Sequence, residues 1–185
     1  MSKTKAQEIQ DAARASIGVG FLADAARVEI GCLIAQIDLL LEQRKLVDAK
    51  IEEFMGTLST HITTITGIST VTGAVILAEI GDVNRFESLE KLVAYAGIDA
   101  SVYQTGQFTA TQAHMSKRGS PYLRHALWLA ASMSVFSDPE MKAYYAKRRT
   151  EGKAHGTVIG AVCRKLLARI YVVLRENRPY EVRAS

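Results

Sequence analysis

Residues 28–58, VEIGCLIAQIDLLLEQRKLVDAKIEEFMGTL, decide the architecture of the N-terminal part of the chain. Their apolar stripe advances in steps of three and four residues and meets one polar residue, Arg44. The stripe consists of Ile30, Leu33, Ile37, Leu40, Val47, Ile51, Phe54 and Leu58. A repeat of about 3.5 residues keeps such a stripe on one side of a helix, so the segment predicts a long coiled-coil helix. Two interpretations stay open: a dimer through residues 28–58, or packing of this helix on the rest of its own chain.

The composition predicts a mainly α fold for the whole chain. A length of 185 residues suits one domain with an extension, and 48% hydrophobic with 23% charged residues suits a folded core. Aromatic residues make up only 7%, and there are three prolines, while Ala, Leu and Ile recur at helical spacing. We therefore expect a helical segment over residues 1–58 and a compact helical domain over residues 59–185.

Several classes of protein are excluded by what the sequence lacks. No apolar run approaches the roughly 18 to 20 residues that cross a bilayer, and Met1 leads into no apolar signal segment. We expect a cytoplasmic protein without a membrane partner. Cys32 and Cys163 lie far apart in apolar surroundings, which favours buried apolar side chains over a disulfide framework or a zinc site. The sequence therefore predicts no metal site and no cofactor in this chain.

The charge is divided unevenly along the chain. Residues 1–99 carry nine Lys/Arg and fourteen Asp/Glu, a net charge of −5, whereas residues 100–185 carry fourteen and five, a net charge of +9. A basic region of this size attracts a polyanion, and in a protein without a membrane anchor that polyanion is most often nucleic acid. The C-terminal half is therefore predicted to bind nucleic acid.

Residues 62–81, ITTITGISTVTGAVILAEIG, suggest a helix-hairpin-helix within residues 59–81. Gly67 and Gly73 would let the backbone approach a phosphate, and free amides at the start of the second helix would favour an anion. Such contacts hold the DNA backbone without reading its sequence. The alternative is a plain helical hairpin whose glycines only form the turn. The hairpin itself contains no Lys or Arg.

Two segments with polar chemistry follow. Residues 101–111, SVYQTGQFTAT, alternate polar and apolar side chains around a glycine, which predicts a short hairpin or extended loop. Residues 115–124, MSKRGSPYLR, form a basic glycine turn in which Ser120 caps the next helix and Pro121 takes its first position. These two segments hold the best candidates for chemistry and for phosphate contacts.

Several motifs together resemble one known family. They are Gly67-Ile68 with Gly73, Ala78-Glu79-Ile80-Gly81-Asp82, Leu92-Val93-Ala94-Tyr95-Ala96-Gly97, Met115-Ser116-Lys117-Arg118-Gly119, Tyr122-Leu123-Arg124-His125-Ala126-Leu127 and Lys165-Leu166-Leu167 near Arg178-Pro179-Tyr180. In order and spacing they resemble the C-terminal transposase domain of the insertion sequence 110 family over about residues 59–182. The preceding heptad segment resembles the coiled coil that comes before this domain in the family.

The resemblance implies a mobile-element DNA recombinase guided by a structured RNA. In the family, a RuvC-like N-terminal domain with four metal-binding acidic residues works with a serine nucleophile in the C-terminal domain. Residues 1–58 are too few and too helical for a RuvC-like domain, so this chain resembles a fragment that is inactive alone. Magnesium is expected in that absent domain, not here. The position that matches the family's serine is Thr105, before Gly106. Threonine keeps a hydroxyl, but its extra methyl group crowds that hydroxyl.

The candidate DNA contacts lie in the basic turn and on a later helix. In and beside the basic turn they are Ser116, Lys117, Arg118 and Arg124; the later helix ends in Lys147, Arg148 and Arg149. Each cation has the ordinary alternative of a solvated surface charge.

The function predicted from the sequence is the C-terminal part of a transposase that binds DNA, together with guide RNA, and supplies a hydroxyl nucleophile for strand cleavage and transfer. One alternative is a non-catalytic helix-hairpin-helix module that grips duplex DNA. Another is a coiled-coil assembly protein with an incidental basic half.

Overall fold

The computed structural model describes residues 3–16, 23–99, 104–105, 108–109 and 115–181, and this part of the chain is mainly helical. The helices are α1 (Lys3–Ala15), α2 (Ala23–Thr57), α3 (Thr70–Ile80), α4 (Leu89–Ala96), α5 (Pro121–Ser137), α6 (Pro139–Thr150) and α7 (His155–Glu176), with 3-10 turns at Ile62–Thr64 and Val83–Arg85. Strands β1 (Gln104–Thr105) and β2 (Phe108–Thr109) pair antiparallel. The predicted mainly α fold is confirmed.

The chain divides into two compact units, residues 1–47 and residues 48–185. The sequence predicted a boundary after residue 58, which is next to the end of α2 at Thr57 and eleven residues beyond the division between the two units. Residues 48–57 of this helix therefore belong to the second unit.

In the first unit, the apolar stripe of α2 is exposed. Ile30, Leu33, Ile37 and Leu40 are each between 50% and 62% exposed. Exposed apolar side chains at heptad spacing are the surface that pairs helices in a coiled coil. The dimer through residues 28–58 stays a prediction.

In the second unit, the end of α2 packs intramolecularly. Met55 is buried in the core and Ile51 packs against it, one helical turn away, whereas Phe54 is 63% exposed. The heptad pattern identified Ile51 but missed Met55. Contacts with the core of the second unit, and not the heptad pattern, therefore determine which face of α2 is buried here.

Helix α5 lies at the centre of the second unit and packs against α3, α6 and α7. Its fully buried side chains include Leu123, Leu127 and Ala131. Helix α7 meets it with a long buried face that comprises Val158, Ile159, Val162, Cys163, Leu166, Leu167, Ile170, Tyr171 and Val173. The spacing of three and four residues on α7 is that of an amphipathic helix with one apolar face. This core carries the segments that bear the candidate site.

Residue choice explains where the helices begin. The Oγ atom of Ser120 accepts a hydrogen bond from the amide of Leu123 (3.1 Å), and Pro121 occupies the first position of α5, as predicted. Asp138 caps α6 in the same way, with Oδ1 3.0 Å from the amide of Met141. These caps fix the direction in which α5 and α6 leave their turns.

The region predicted as a helix-hairpin-helix contains one α-helix. Its first predicted helix is the 3-10 turn Ile62–Thr64, and α3 follows after Gly67, with Ser69 as its N-cap and Gly81 as its C-cap. The structure therefore does not confirm the first helix of the predicted helix-hairpin-helix, and its contact with DNA stays a prediction.

The two cysteines differ in environment. Cys163 is buried, and burial raises the pKa of its thiol to about 12. Cys32 is exposed, so the expectation of a buried side chain is wrong at this position. Within the described ranges, no helix is both long and apolar enough to cross a membrane.

Candidate nucleic-acid interface

The candidate site is built on five consecutive backbone carbonyl groups, those of residues 95–99, at the end of α4. Each accepts a hydrogen bond from a residue far along the sequence. The pairs, donor first, are Ser120 N to Tyr95 O (2.7 Å), Arg124 Nη1 to Ala96 O (3.3 Å), Lys117 N to Gly97 O (3.1 Å), Arg164 Nε to Ile98 O (2.6 Å) and Ser116 N to Asp99 O (3.0 Å). We call residues 95–99 the carbonyl platform. The platform holds the basic turn of residues 115–120 in one fixed position.

Two glycines allow the basic turn to lie this close to the platform. Gly97 ends α4 with φ of 64°, a left-handed conformation that glycine adopts without strain. A Cβ atom at Gly119 would lie 1.9 Å from Tyr95 O and 2.5 Å from Gly97 N. Both neighbours are backbone atoms that cannot rotate away. Glycine is therefore required at 119 by packing.

Ser116 and Asp99 join the two ends of the segment that carries Thr105. The Oγ atom of Ser116 donates a hydrogen bond to Oδ1 of Asp99, beside the backbone hydrogen bond between the same residues. Residues 100–115 lie between these two ends. The hydroxyl proton of Ser116, a predicted DNA contact, is thus used inside the protein.

Lys117 and Arg118 are the exposed residues of the basic turn. Lys117 has φ of 55°, which is uncommon for a residue with a side chain. Hydrogen bonds on both sides, at Ser116 and Ser120, hold this conformation. The two exposed cations therefore lie on backbone that hydrogen bonds restrain.

Arg124, also predicted to contact DNA, lies half-buried. Its Nη1 atom donates to the carbonyl groups of Ala96 (3.3 Å) and Gly119 (3.5 Å). These contacts connect α5 to both the platform and the basic turn. Arg124 therefore has a structural role that its spacing in the sequence did not reveal.

Thr105, the predicted nucleophile, is the last residue of β1 and pairs with Phe108 of β2. The antiparallel register also sets Gln104 opposite Thr109. This pairing agrees with the short hairpin predicted for residues 101–111. The Thr105 side chain lies outside the described atoms.

Gly67 and Gly73, the predicted backbone contacts, face the protein interior. Gly67 has φ of 98°, and a Cβ atom there would lie 2.8 Å from Ala130 O on α5. Gly73 is buried within α3, where an added Cβ atom would lie 3.2 Å from the Cγ2 atom of Ile62. Tight internal packing explains both glycines without a phosphate contact. Neither belongs to the platform or to the basic turn.

The cations at the end of α6 differ in their partners. Lys147 is exposed, Arg148 forms an ion pair with Glu151 (2.9 Å), and Nη1 of Arg149 donates to the carbonyl of Lys153 (2.6 Å). This group lies on a different element from the basic turn. Its contact with nucleic acid stays a prediction.

Other cations of the C-terminal half are held in a network between α6 and α7. Arg169 bridges Asp138 and Glu140 with 2.5 Å contacts, and Lys165 pairs with Glu140 at 3.1 Å. Burial alone would raise the pKa of Asp138, but hydrogen bonds from the Met141 amide and Arg169 outweigh it and lower that pKa below its usual value of 3.8. These two cations stabilise the fold.

Carboxylates do not gather into a metal site here. In the described ranges, no three His, Cys, Asp or Glu side chains are grouped so that they could hold an ion. The acidic groups next to the site have protein partners: Glu79 accepts from Ser120 Oγ (2.6 Å), and Asp99 accepts from Ser116.

The motifs that form the platform and the basic turn can be compared with known proteins. Residues 59–146 match the model of the transposase IS116/IS110/IS902 family. The matched residues include the platform, β1 and β2, and the basic turn. The match supports the resemblance to the insertion sequence 110 family that the motifs indicate.

Individual relatives agree with this match. The chain is 27% identical over 158 residues to the insertion element IS110 43.6 kDa protein of Streptomyces coelicolor, which covers 84% of this chain and 39% of that protein. It is 33% identical over 123 residues to the pilin gene-inverting protein of Moraxella bovis, covering 66% and 38%. It is 30% identical over 120 residues to the insertion element IS900 42 kDa protein of Mycobacterium paratuberculosis, covering 64% and 30%. The aligned region thus makes up less than two fifths of each relative.

Proposed function

We propose that this chain is the C-terminal part of a mobile-element recombinase and binds the DNA strand that is cut and rejoined. The observation that carries the proposal is the basic turn, fixed on the carbonyl platform at the base of the segment that contains Thr105. The family match and the relative named for inverting a pilin gene support a recombination role. The net charge of +9 in residues 100–185 supports a nucleic-acid substrate.

The proposed chemistry is transesterification by the hydroxyl of Thr105. Its oxygen attacks a phosphodiester and forms a bond to phosphorus, while the bond from phosphorus to the 3′ oxygen breaks. The threonine proton passes to a base and the 3′ oxygen gains a proton. The products are a covalent phosphoester to the protein and a free 3′-hydroxyl. Because the phosphoester keeps the bond energy, the strand can be rejoined without a nucleotide cofactor.

Lys117 and Arg118 have the proposed task of binding phosphates beside the reacting one. A guanidinium group can donate two parallel hydrogen bonds to phosphate oxygens, and an ammonium group acts as a point charge. Both side chains are exposed and project from backbone that the platform holds still. A rigid support lowers the entropy cost of fixing the strand for attack.

The remaining partners follow from the family resemblance. Magnesium would be held by an RuvC-like part of a longer protein, since the described carboxylates of this chain do not form a cluster for it. A structured RNA would guide the choice of DNA, and a dimer would form through residues 28–58. The exposed apolar stripe of α2 supports the dimer.

The nucleophile is tested by variants of Thr105 joined to an RuvC-like partner domain. Thr105→Ser removes the extra methyl group and is expected to raise covalent attachment of a labelled DNA strand, whereas Thr105→Ala is expected to abolish it. Attached strand is measured on denaturing gels. A matched control, Thr109→Ala, changes a threonine of the neighbouring strand and is expected to retain attachment.

The same experiment separates the recombinase from its main alternative. A threonine in place of the family's serine favours a non-catalytic DNA-binding module. If the wild type and both Thr105 variants bind DNA equally and none forms a covalent product, the nucleophile assignment is wrong and the binding module remains.

A further inference from the structure

We propose that Arg164 of α7 is a phosphate-binding residue of this site and contacts the backbone of the bound DNA strand beside Lys117 and Arg118. This inference rests on the proposed DNA-binding function. It adds a residue that lies far from the basic turn in the sequence and that the turn motif does not include.

The first observation is the anchoring of Arg164. Its Nε atom donates a 2.6 Å hydrogen bond to the carbonyl oxygen of Ile98, while the side chain as a whole is exposed. Residue 98 is fully buried, so this acceptor is fixed in the core. An arginine held through Nε keeps its planar group in a restricted orientation, which lowers the entropy lost when Nη1 and Nη2 bind a ligand.

The second observation is that the outer end of Arg164 has no partner in the part of the chain that the structure describes. Among the residues that the structure describes, neither Nη1 nor Nη2 forms a hydrogen bond or ion pair. Most other arginines of the second unit are engaged: Arg85 with the carbonyls of Ile80 and Glu79, Arg124 with those of Ala96 and Gly119, Arg148 with Glu151, Arg149 with the carbonyl of Lys153, Arg169 with Asp138 and Glu140, Arg175 with the Tyr171 hydroxyl, and Arg178 with Glu176. With respect to the described residues, Arg164 thus keeps two donors available for an anion.

The third observation is the position of the anchor within the platform. Ile98 lies between Gly97, which accepts from Lys117 N, and Asp99, which accepts from Ser116 N. Lys117, Arg164 and Ser116 therefore donate to three consecutive carbonyl groups of the platform, those of residues 97, 98 and 99. The carboxylate of Asp99 accepts the Ser116 hydroxyl and forms no ion pair with Arg164 in the described structure.

These observations define the chemical class of the ligand. A fork of two N–H donors matches the two non-bridging oxygens of a phosphodiester. In the sequence, the platform directly precedes the segment that carries Thr105. The contact reads the DNA backbone and carries no base specificity.

The test measures binding of the whole chain to fluorescent duplex DNA by anisotropy across a salt series. Arg164→Ala is expected to weaken binding about five- to tenfold and to lower the slope of log affinity against log salt by about one. Arg164→Lys keeps the charge and is expected to keep most of the slope. Arg175→Ala is the matched control, because it removes an exposed arginine from the same helix, and it is expected to change neither quantity.

Several outcomes would overturn the inference. If Lys117→Ala/Arg118→Ala weakens binding and Arg164→Ala does not, Arg164 lies outside the site while the proposed function stands. If the wild type binds no DNA, both fail. If Arg164→Ala weakens binding to structured RNA alone, the ligand is not the DNA strand.

Thermal melting checks that each variant folds. If Arg164→Ala unfolds, Arg164→Gln replaces it in the test, because glutamine retains a donor toward Ile98 without the charge. Arg164→Gln is then expected to weaken DNA binding in the same way.

Discussion

At the scale of single residues, Gly119 has the closest backbone neighbours of the described glycines. We expect Gly119→Ala to lower the free energy of unfolding by about 3 kcal/mol, because its Cβ atom would lie 1.9 Å from Tyr95 O. Gly156→Ala is the matched control: its Cβ atom would meet only Trp128 at 3.7 Å, and alanine is the better helix former. Urea denaturation compares the two variants. Equal stability would contradict the close packing of the basic turn on the platform.

At the scale of elements, the ion pairs between α6 and α7 make stability depend on pH. The pKa of Asp138 in the folded protein lies below the unfolded value of 3.8, so its contribution is complete above that value and is lost as the pH falls through the folded pKa. Asp138→Asn keeps a capping side chain but leaves Arg169 without a buried partner charge. We expect a loss of about 3 kcal/mol at pH 7 that shrinks below about pH 4.

Glu140→Gln provides the control for this element. Glu140 pairs with the same arginine, but its side chain is 56% exposed, and exposed ion pairs contribute at most about 1 kcal/mol. Urea denaturation at pH 7 and below about pH 4 measures the free energy of unfolding of the two variants. A difference between wild type and Asp138→Asn that stays constant across this range would contradict the lowered pKa of Asp138.

At the scale of the whole molecule, the exposed stripe of α2 predicts self-association. We expect the mass of a dimer in light scattering. We expect Ile37→Lys to be monomeric, because burying an ammonium group between the paired helices destabilises the dimer more than the apolar contacts stabilise it. Ala35→Lys adds the same charge on α2 away from the stripe and is expected to remain dimeric. A monomeric wild type at every concentration would refute the predicted coiled-coil dimer.

The sequence by itself determined several of the elements, since these depend on local chemistry. Heptad spacing identified α2, and Ser120 with Pro121 identified the start of α5. The alternating segment around Thr105 also indicated the short hairpin. Caps, turns and hydrophobic periods act over a few residues, so a single sequence displays them.

Only the tertiary structure decided which side chains are free to bind a ligand. Arg124, next to the basic motif, is bonded to the platform carbonyl of Ala96. Arg164, 66 residues beyond Ile98, joins the platform, and its outer nitrogens have no partner among the described residues. The same holds for Gly73, which packs in the core, and for Met55, which lies off the heptad stripe. Hydrogen bonds and packing between distant residues depend on how the helices assemble, and a residue's spacing along the chain does not record its partner across the fold.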